Sequence, residues 1–293
     1  MPEVISSEQV KFFDEQGYLP PVQVLAPEEV AKYAASLAQC RSDFPEHAKK
    51  LKTKAHLLCP WIDEIARHSR ILDLYADILG DDILCYSMAM RIKPSDGKVQ
   101  AGWHQDTAYG GIEPIMIIGA LALSECTVKH GCLQVIPGSH KLGTLPHVES
   151  DDPTSILARG QFISAEFDKS SAVDLVLKPG EIGLFNAATI HGSGVNTSGE
   201  DRVILLVELM PTCVKQRKHR ESAMLVRGTD THGNYDAETG ARTLFGEAEL
   251  AHWSDKVFSR AKNVFADSKL PVSESYGGGT RTDAPAAATA AAK

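Results

Sequence analysis

No stretch of this chain approaches the ~18 consecutive apolar residues that a membrane-spanning helix needs, so none is expected. The opening residues Met1-Pro2-Glu3-Val4 have no basic region running into an apolar one, and no secretory leader is expected there. Positive charge is scarce. Thirty Lys and Arg stand against 38 Asp and Glu, a net charge of −8, which argues against nucleic acid or an anionic membrane as the main partner. None of the six cysteines (Cys40, Cys59, Cys85, Cys126, Cys132, Cys213) sits in a CxxC pair. That excludes a zinc ribbon or a dense disulfide framework and suits free thiols in a reducing cytoplasm. No internal repeat is visible. What is present is the composition of a folded protein: 293 residues, 43% hydrophobic and 23% charged. Such a length forms one large domain or two small ones and needs no disulfide or metal to fold.

Three textures follow one another, and they fit a single domain over 1–270. Residues 1–80 read as helical. Ser6 offers an N-cap and Gly17 a stop, Pro27-Glu28-Glu29 opens a second helix, and 61–79 suggests a helical pair ending at Gly80. Residues 83–212 read as short strands between Pro/Gly turns, with Val203–Met210 apolar enough to be buried on both faces. Residues 213–270 are mixed, with a helix expected over Glu247–Phe265. Residues 277–293 form a low-complexity tail. Strands at this spacing with flanking helices predict a mainly β sandwich or jelly roll.

The sharpest chemical feature is Trp103-His104-Gln105-Asp106. Residues two apart on a strand point to one side, so His104 and Asp106 could offer a nitrogen and a carboxylate oxygen to one metal ion. Alone, this common tripeptide is a weak signal and reads as a surface strand pair. A second feature adds weight: His191 closes an apolar strand before the small-residue turn Gly192-Ser193-Gly194, 87 positions after His104. Two His and one carboxylate in that order make the facial triad of non-haem iron oxygenases. His130, His140, His147 and His219 are the rival distal ligands, but none ends a strand followed by small residues. Arg202 then opens the strand Val203–Met210. An Arg there needs an anionic partner, either a neighbouring Glu181 or Asp201 or the carboxylate of a ligand.

The chain resembles the phytanoyl-CoA dioxygenase family of Fe(II)/2-oxoglutarate oxygenases. The resemblance rests on Phe12-Phe13-Asp14-Glu15-Gln16-Gly17-Tyr18-Leu19, Trp103-His104-Gln105-Asp106, Gly131–His140, and His191-Gly192-Ser193-Gly194 followed by Arg202. Met224–Asp230 with Gly233-Asn234-Tyr235 is similar to a subgroup of chlorinating enzymes. The resemblance implies a double-stranded β-helix. It also implies that His104, Asp106 and His191 hold Fe(II), that Arg202 binds the distal carboxylate of 2-oxoglutarate, that Ser193 assists, and that Ser87 makes another co-substrate contact. Gly138-Ser139-His140 is read as a turn that orients a strand. The chain departs from the family's pattern at His130, where Asn is common. It also lacks a Trp in Ile117–Ala122, and Tyr109-Gly110-Gly111 replaces Tyr-Trp-Gly.

The implied reaction consumes O2 and 2-oxoglutarate, releases succinate and CO2, and hydroxylates an unactivated C–H bond, with ascorbate as a stimulant. The resemblance implies as substrate a small molecule of natural-product biosynthesis, such as an amino acid or a polyketide, free or tethered to a carrier protein. Desaturation and ring formation share the same oxidant. Halogenation is disfavoured because Asp106 occupies the position that halogenases leave to chloride. A binding protein without turnover would show a broken triad or no Arg, and neither is seen. The basic run Lys215, Arg217, Lys218, His219, Arg220 reads as a solvated loop.

Overall fold

The computed structural model describes residues 4–272; the tail expected at 277–293 lies outside them. The first helix, α1 (Ser7–Gln16), is capped by the Ser6 hydroxyl, which accepts from the Gln9 amide, while the Gln9 side chain reaches back to the Ser6 amide. Gly17 ends it at φ +73°. Any side chain here would be strained, and a Cβ would stand 2.2 Å from His140 Nδ1. Then comes β1 (Tyr18–Gln23), a strand where helix alone was expected. Next come α2 (Pro27–Asp43), α3 (Pro60–Ala66) and α4 (Ser69–Leu79), with Gly80 as the stop.

The strands that follow are β2 (Ile83–Lys93), β3 (Ala101–His104), β4 (Ile117–Ala122), β5 (Leu133–Val135), β6 (Val173–Leu175), β7 (Glu181–Asn186), β8 (His191–Ser193), β9 (Arg202–Pro211), β10 (Ser222–Arg227) and β11 (Asp236–Ala237). They form two sheets. The larger has the order β1-β7-β4-β9-β2-β10-β11 and the smaller β3-β8-β5-β6. This is the jelly roll that the strand spacing predicted, with one correction: β1 and β10 extend the large sheet beyond the 83–212 core. Burial explains both additions. Tyr18 and Leu19 seal one edge against Phe185 and Leu184, and Met224 packs beside Cys85 at the other.

One face of the large sheet packs on α2–α4 and on α5 (Glu247–Val264) through Leu74, Tyr75, Leu205, Val207, Trp253 and Val257. The other face meets the small sheet through Ala120, Leu133, Val135, Phe185 and Ile204. The β9 strand serves both layers, which is why it reads as almost wholly apolar. All six cysteines are unpaired, and only Cys213 is exposed. Among the described residues no helix is long and apolar enough to cross a membrane. Three residues of the basic run are exposed and face acids, Arg217 with Glu113, Lys218 with Asp267 and Arg220 with Asp236, as a solvated loop would.

Candidate metal centre

His104 and His191 are direct cross-strand partners on β3 and β8, with ring centroids 4.1 Å apart. Each imidazole is tied through Nδ1 to the carbonyl two residues before it: His104 to Gly102 O at 2.7 Å and His191 to Thr189 O at 3.0 Å. A carbonyl only accepts, so Nδ1 carries a proton and Nε2 is the nitrogen left to face a metal. Both Nε2 atoms point at Asp106, each 3.5 Å from one of its carboxylate oxygens. One ligand atom from each of the three residues lies within 4.8 Å of the other two. Burial, and then the neighbouring His104, lower the His191 pKa to about 4, so it is neutral near pH 7. Burial works against the Asp106 charge, but His191 and His104 outweigh it and hold the carboxyl well below its usual range. Two imidazoles held through Nδ1 and one carboxylate fit a divalent first-row metal.

The route by which Asp106 arrives differs from the strand argument. β3 ends at His104, and Asp106 has helical backbone angles, φ −70° and ψ −23°, heading a single helical turn, Thr107–Gly110. Its amide donates to Ala187 O at 2.9 Å. The bend is held by Gln105, fully buried, whose side-chain amide donates to Gly143 O and Ala188 O while its oxygen accepts from Leu145 N. A turn, not the two-residue period of a strand, folds the carboxylate onto the histidines.

On the other side, Ser139 orients His191. Its hydroxyl accepts from Ile190 N and donates to Ile136 O, and Gly138 N donates to Gln16 O, so this turn fixes the start of β8. His140 and His130 are bonded to Asp14 O and to Thr127, and His219 is held through its backbone by Asn263. His147 lies closer: its Nε2 accepts from Gln105 N at 3.0 Å, a support under the Gln105 bend and not part of the cluster.

The three residues open on a cavity of about 160 Å³ that also takes in Ser193, Arg202, Ile204, Leu206 and Glu208. Arg202 is 2% exposed. Its Nη1 donates to Gly131 O at 2.6 Å, and its buried Nε has no hydrogen-bond partner among the described residues. Neither nearby acid takes it, since Asp201 faces Arg41 and Glu181 accepts from the Lys178 amide. Across the sheet stands Lys93, also fully buried. Its ammonium donates to Ser193 Oγ at 2.8 Å, to Gly131 O and to Gly194 O. Burial, then the charge of Arg202, brings the Lys93 pKa down to about 7.

Ser87 departs from expectation. It does not line the cavity, and its buried hydroxyl accepts from Lys54 N at 3.1 Å. A β-bulge in the β2–β9 pairing beside it shifts the facing, so Tyr86 is the residue that reaches the cavity. The sequence reading also passed over Glu208 and Arg260, an ion pair in the cavity wall. A single acid inside the apolar run Val203–Met210 was the available signal for the first. Arg260 lies one turn past Val257 on the buried face of α5, which was the signal for the second.

A jelly roll carrying a two-histidine, one-carboxylate cluster beside a buried arginine is the architecture of a non-haem iron oxygenase. The comparisons agree. The family profile for phytanoyl-CoA dioxygenase (PhyH) matches residues 13–204. A Stutzerimonas stutzeri protein named "Probable alpha-ketoglutarate-dependent hypophosphite dioxygenase" is 28% identical over 69% of this chain and 77% of its own length. An ectoine dioxygenase of Streptomyces anulatus is 24% identical over 67% and 74% respectively. The solved structure of the non-heme monooxygenase ThoJ superposes with a TM-score of 0.79 at 28% identity, covering 88% of this chain and 98% of that one. The chain belongs to the phytanoyl-CoA dioxygenase family and is an Fe(II)- and 2-oxoglutarate-dependent oxygenase.

Proposed function

We propose that His104, Asp106 and His191 hold the Fe(II), that Arg202 with Ser193 anchors 2-oxoglutarate, and that the enzyme oxidises, most simply by hydroxylation, an unactivated C–H bond of a small molecule in natural-product biosynthesis. The observation that carries this reading is one cavity containing both the convergent triad and a buried arginine with an unused nitrogen. Bound iron supplies open coordination positions where 2-oxoglutarate and oxygen meet, and the decarboxylation to succinate and CO2 drives the attack on carbon.

The protein's own share is placement. Arg202, already desolvated, presents Nε to the distal carboxylate of the co-substrate. The Lys93 ammonium occupies one lone pair of Ser193 Oγ, which leaves the Ser193 proton free to be donated to the same carboxylate. Ile118, Leu133, Ile204 and Leu206 keep the reacting region dry. Asp106 would supply the third protein ligand, in the position a halide would need, so oxidation is favoured over halogenation. Ser87 is left out of the site. The unpaired cysteines support a reducing, cytoplasmic setting.

The test is anaerobic loading with Fe(II) and then 2-oxoglutarate, followed by visible absorption. A weak charge-transfer band is expected in the native protein and is expected to vanish in His104→Ala, Asp106→Ala and His191→Ala. Native protein that binds both without any band refutes the assignment.

A further inference from the structure

Along β9 the inward side chains run Arg202, Ile204, Leu206, Glu208. Six residues of strand separate the two charged ends by roughly 20 Å. The co-substrate end is therefore Arg202, the middle is apolar, and the far end is Glu208. Only two acids line this cavity among the described residues, Asp106 of the metal cluster and Glu208. Glu208 is 5% exposed, and its Oε2 accepts from Arg260 Nη2 at 2.9 Å. Its Oε1 makes no hydrogen bond among the described residues. Arg260 is held in place over the ring of Tyr86, 4.3 Å from its centroid, and Tyr86 is itself fixed by its bond to Glu221. Two further guanidiniums line the cavity: Arg159 bonds Glu149 and Val264 O and lies 3.7 Å over Tyr109, and Arg91 donates to Lys52 O and Met90 O.

A buried ion pair contributes little net stability over an apolar pair of the same shape. Trp253, Val257 and Ala261, with the Trp253 ring nitrogen on Thr53 O, already dock this helix. A fixed anion and cation side by side in a cavity wall, both already desolvated, are the complement of a ligand carrying the opposite charges in the opposite order.

We propose that Glu208 and Arg260 form the head-group subsite for a zwitterionic substrate, a free α-amino acid whose ammonium seats on Glu208 and whose carboxylate seats on Arg260. This rests on the reading of the same cavity as the iron and 2-oxoglutarate site. The head group is then held at the far end of β9, and the apolar stretch at Ile204 and Leu206 carries the side chain towards the metal. The second charge pair explains why one acid is retained among so many arginines: it rejects ligands that bring only an anion.

The experiment uses Ni(II)-loaded protein, which binds without turnover. Calorimetry with 2-oxoglutarate comes first and checks the co-substrate site alone. Each of the twenty common L-amino acids is then titrated, with and without 2-oxoglutarate, and any that binds is compared with its N-acetyl and amide forms. At least one free amino acid is expected to bind, with both blocked forms weaker by about 30-fold or more, the lower end for losing one member of a buried charge pair. In Glu208→Gln the free and N-acetyl forms should bind equally. The double variant Glu208→Arg with Arg260→Glu keeps an ion pair, so its Tm should stay near the native value while amino-acid binding is lost. Absence of binding by every amino acid overturns the proposal, as does equal binding of blocked forms, stronger binding of the amide (a substrate tethered through its carboxyl group), or native binding in the double variant. Failure of 2-oxoglutarate to bind would strike the co-substrate assignment instead, and the amino-acid titrations run without it would still decide this one.

Discussion

Replacing Arg202 by Ala removes a side chain that is 2% exposed and donates to Gly131 O at 2.6 Å. Losing a charge-assisted contact to a ligand carboxylate in so dry a site costs ~2–5 kcal/mol. At about 1.4 kcal/mol per factor of ten, that spans roughly 30-fold to a few thousand-fold in 2-oxoglutarate affinity. The neighbouring lysine narrows the range. Burial comes first in lowering the Lys93 pKa to about 7, and the charge of Arg202 comes next. With Arg202 gone, the second cause disappears and a larger fraction of Lys93 is protonated beside Ser193, so part of the lost positive charge returns. The expected loss is therefore near the lower end, about 100-fold in KM for 2-oxoglutarate, with kcat at saturation changed less. Arg202→Lys should also be defective, because the ammonium cannot reproduce the planar fork. The assay is succinate formation against 2-oxoglutarate concentration, paired with calorimetry on the Ni(II) form. An unchanged KM in Arg202→Ala would refute the reasoning and hand the anchor to Lys93.

Further outcomes can be checked independently. Gln105→Ala should leave the fold intact but lower Fe(II) affinity by about 10–100-fold, since the bend that delivers Asp106 loses its three hydrogen bonds; native affinity measured by metal titration would count against that bend. Gly17→Ala should lower stability by about 1–3 kcal/mol in denaturant unfolding, from strain at φ +73° and a clash with His140 and Thr189. Lys93 has a folded pKa of about 7, below its ordinary value, so between pH 7 and the lysine range the unfolded chain binds more protons and stability rises with pH. Metal-free protein should thus gain Tm from pH 7 to pH ~8, below the thiol midpoint of about 8.5, and Lys93→Met should lose that gain; identical pH profiles would contradict it. Product mass with and without excess chloride should show oxygen gained or hydrogen lost and no chlorinated main product.

Much of this protein could be read in the chain. The caps at Ser6, Gly17 and Gly80 act within a few residues of themselves, so the helix boundaries near them needed no tertiary information. The two histidines and the arginine at the head of β9 were legible because each breaks a local pattern: a polar group at the end of, or entering, an apolar strand. Asp106 was grouped with the histidines on a strand argument that is incomplete, since its position depends on Gln105 bonding to loops some 40 and 80 residues away. Ser87 lies outside the cavity lining because a β-bulge between β2 and β9 shifts which side chains face inward, and no residue of β2 announces it. Residue types and local spacing determine the elements and the chemistry that this chain can offer. Only the tertiary structure could decide that β1 and β10 join the large sheet, that Lys93 stands beside Arg202, and that Arg260 from the last helix meets Glu208. Those contacts join segments tens to more than a hundred residues apart in the chain, and which partners meet is set by how sheets and helices bury their apolar faces, not by the sequence around either partner.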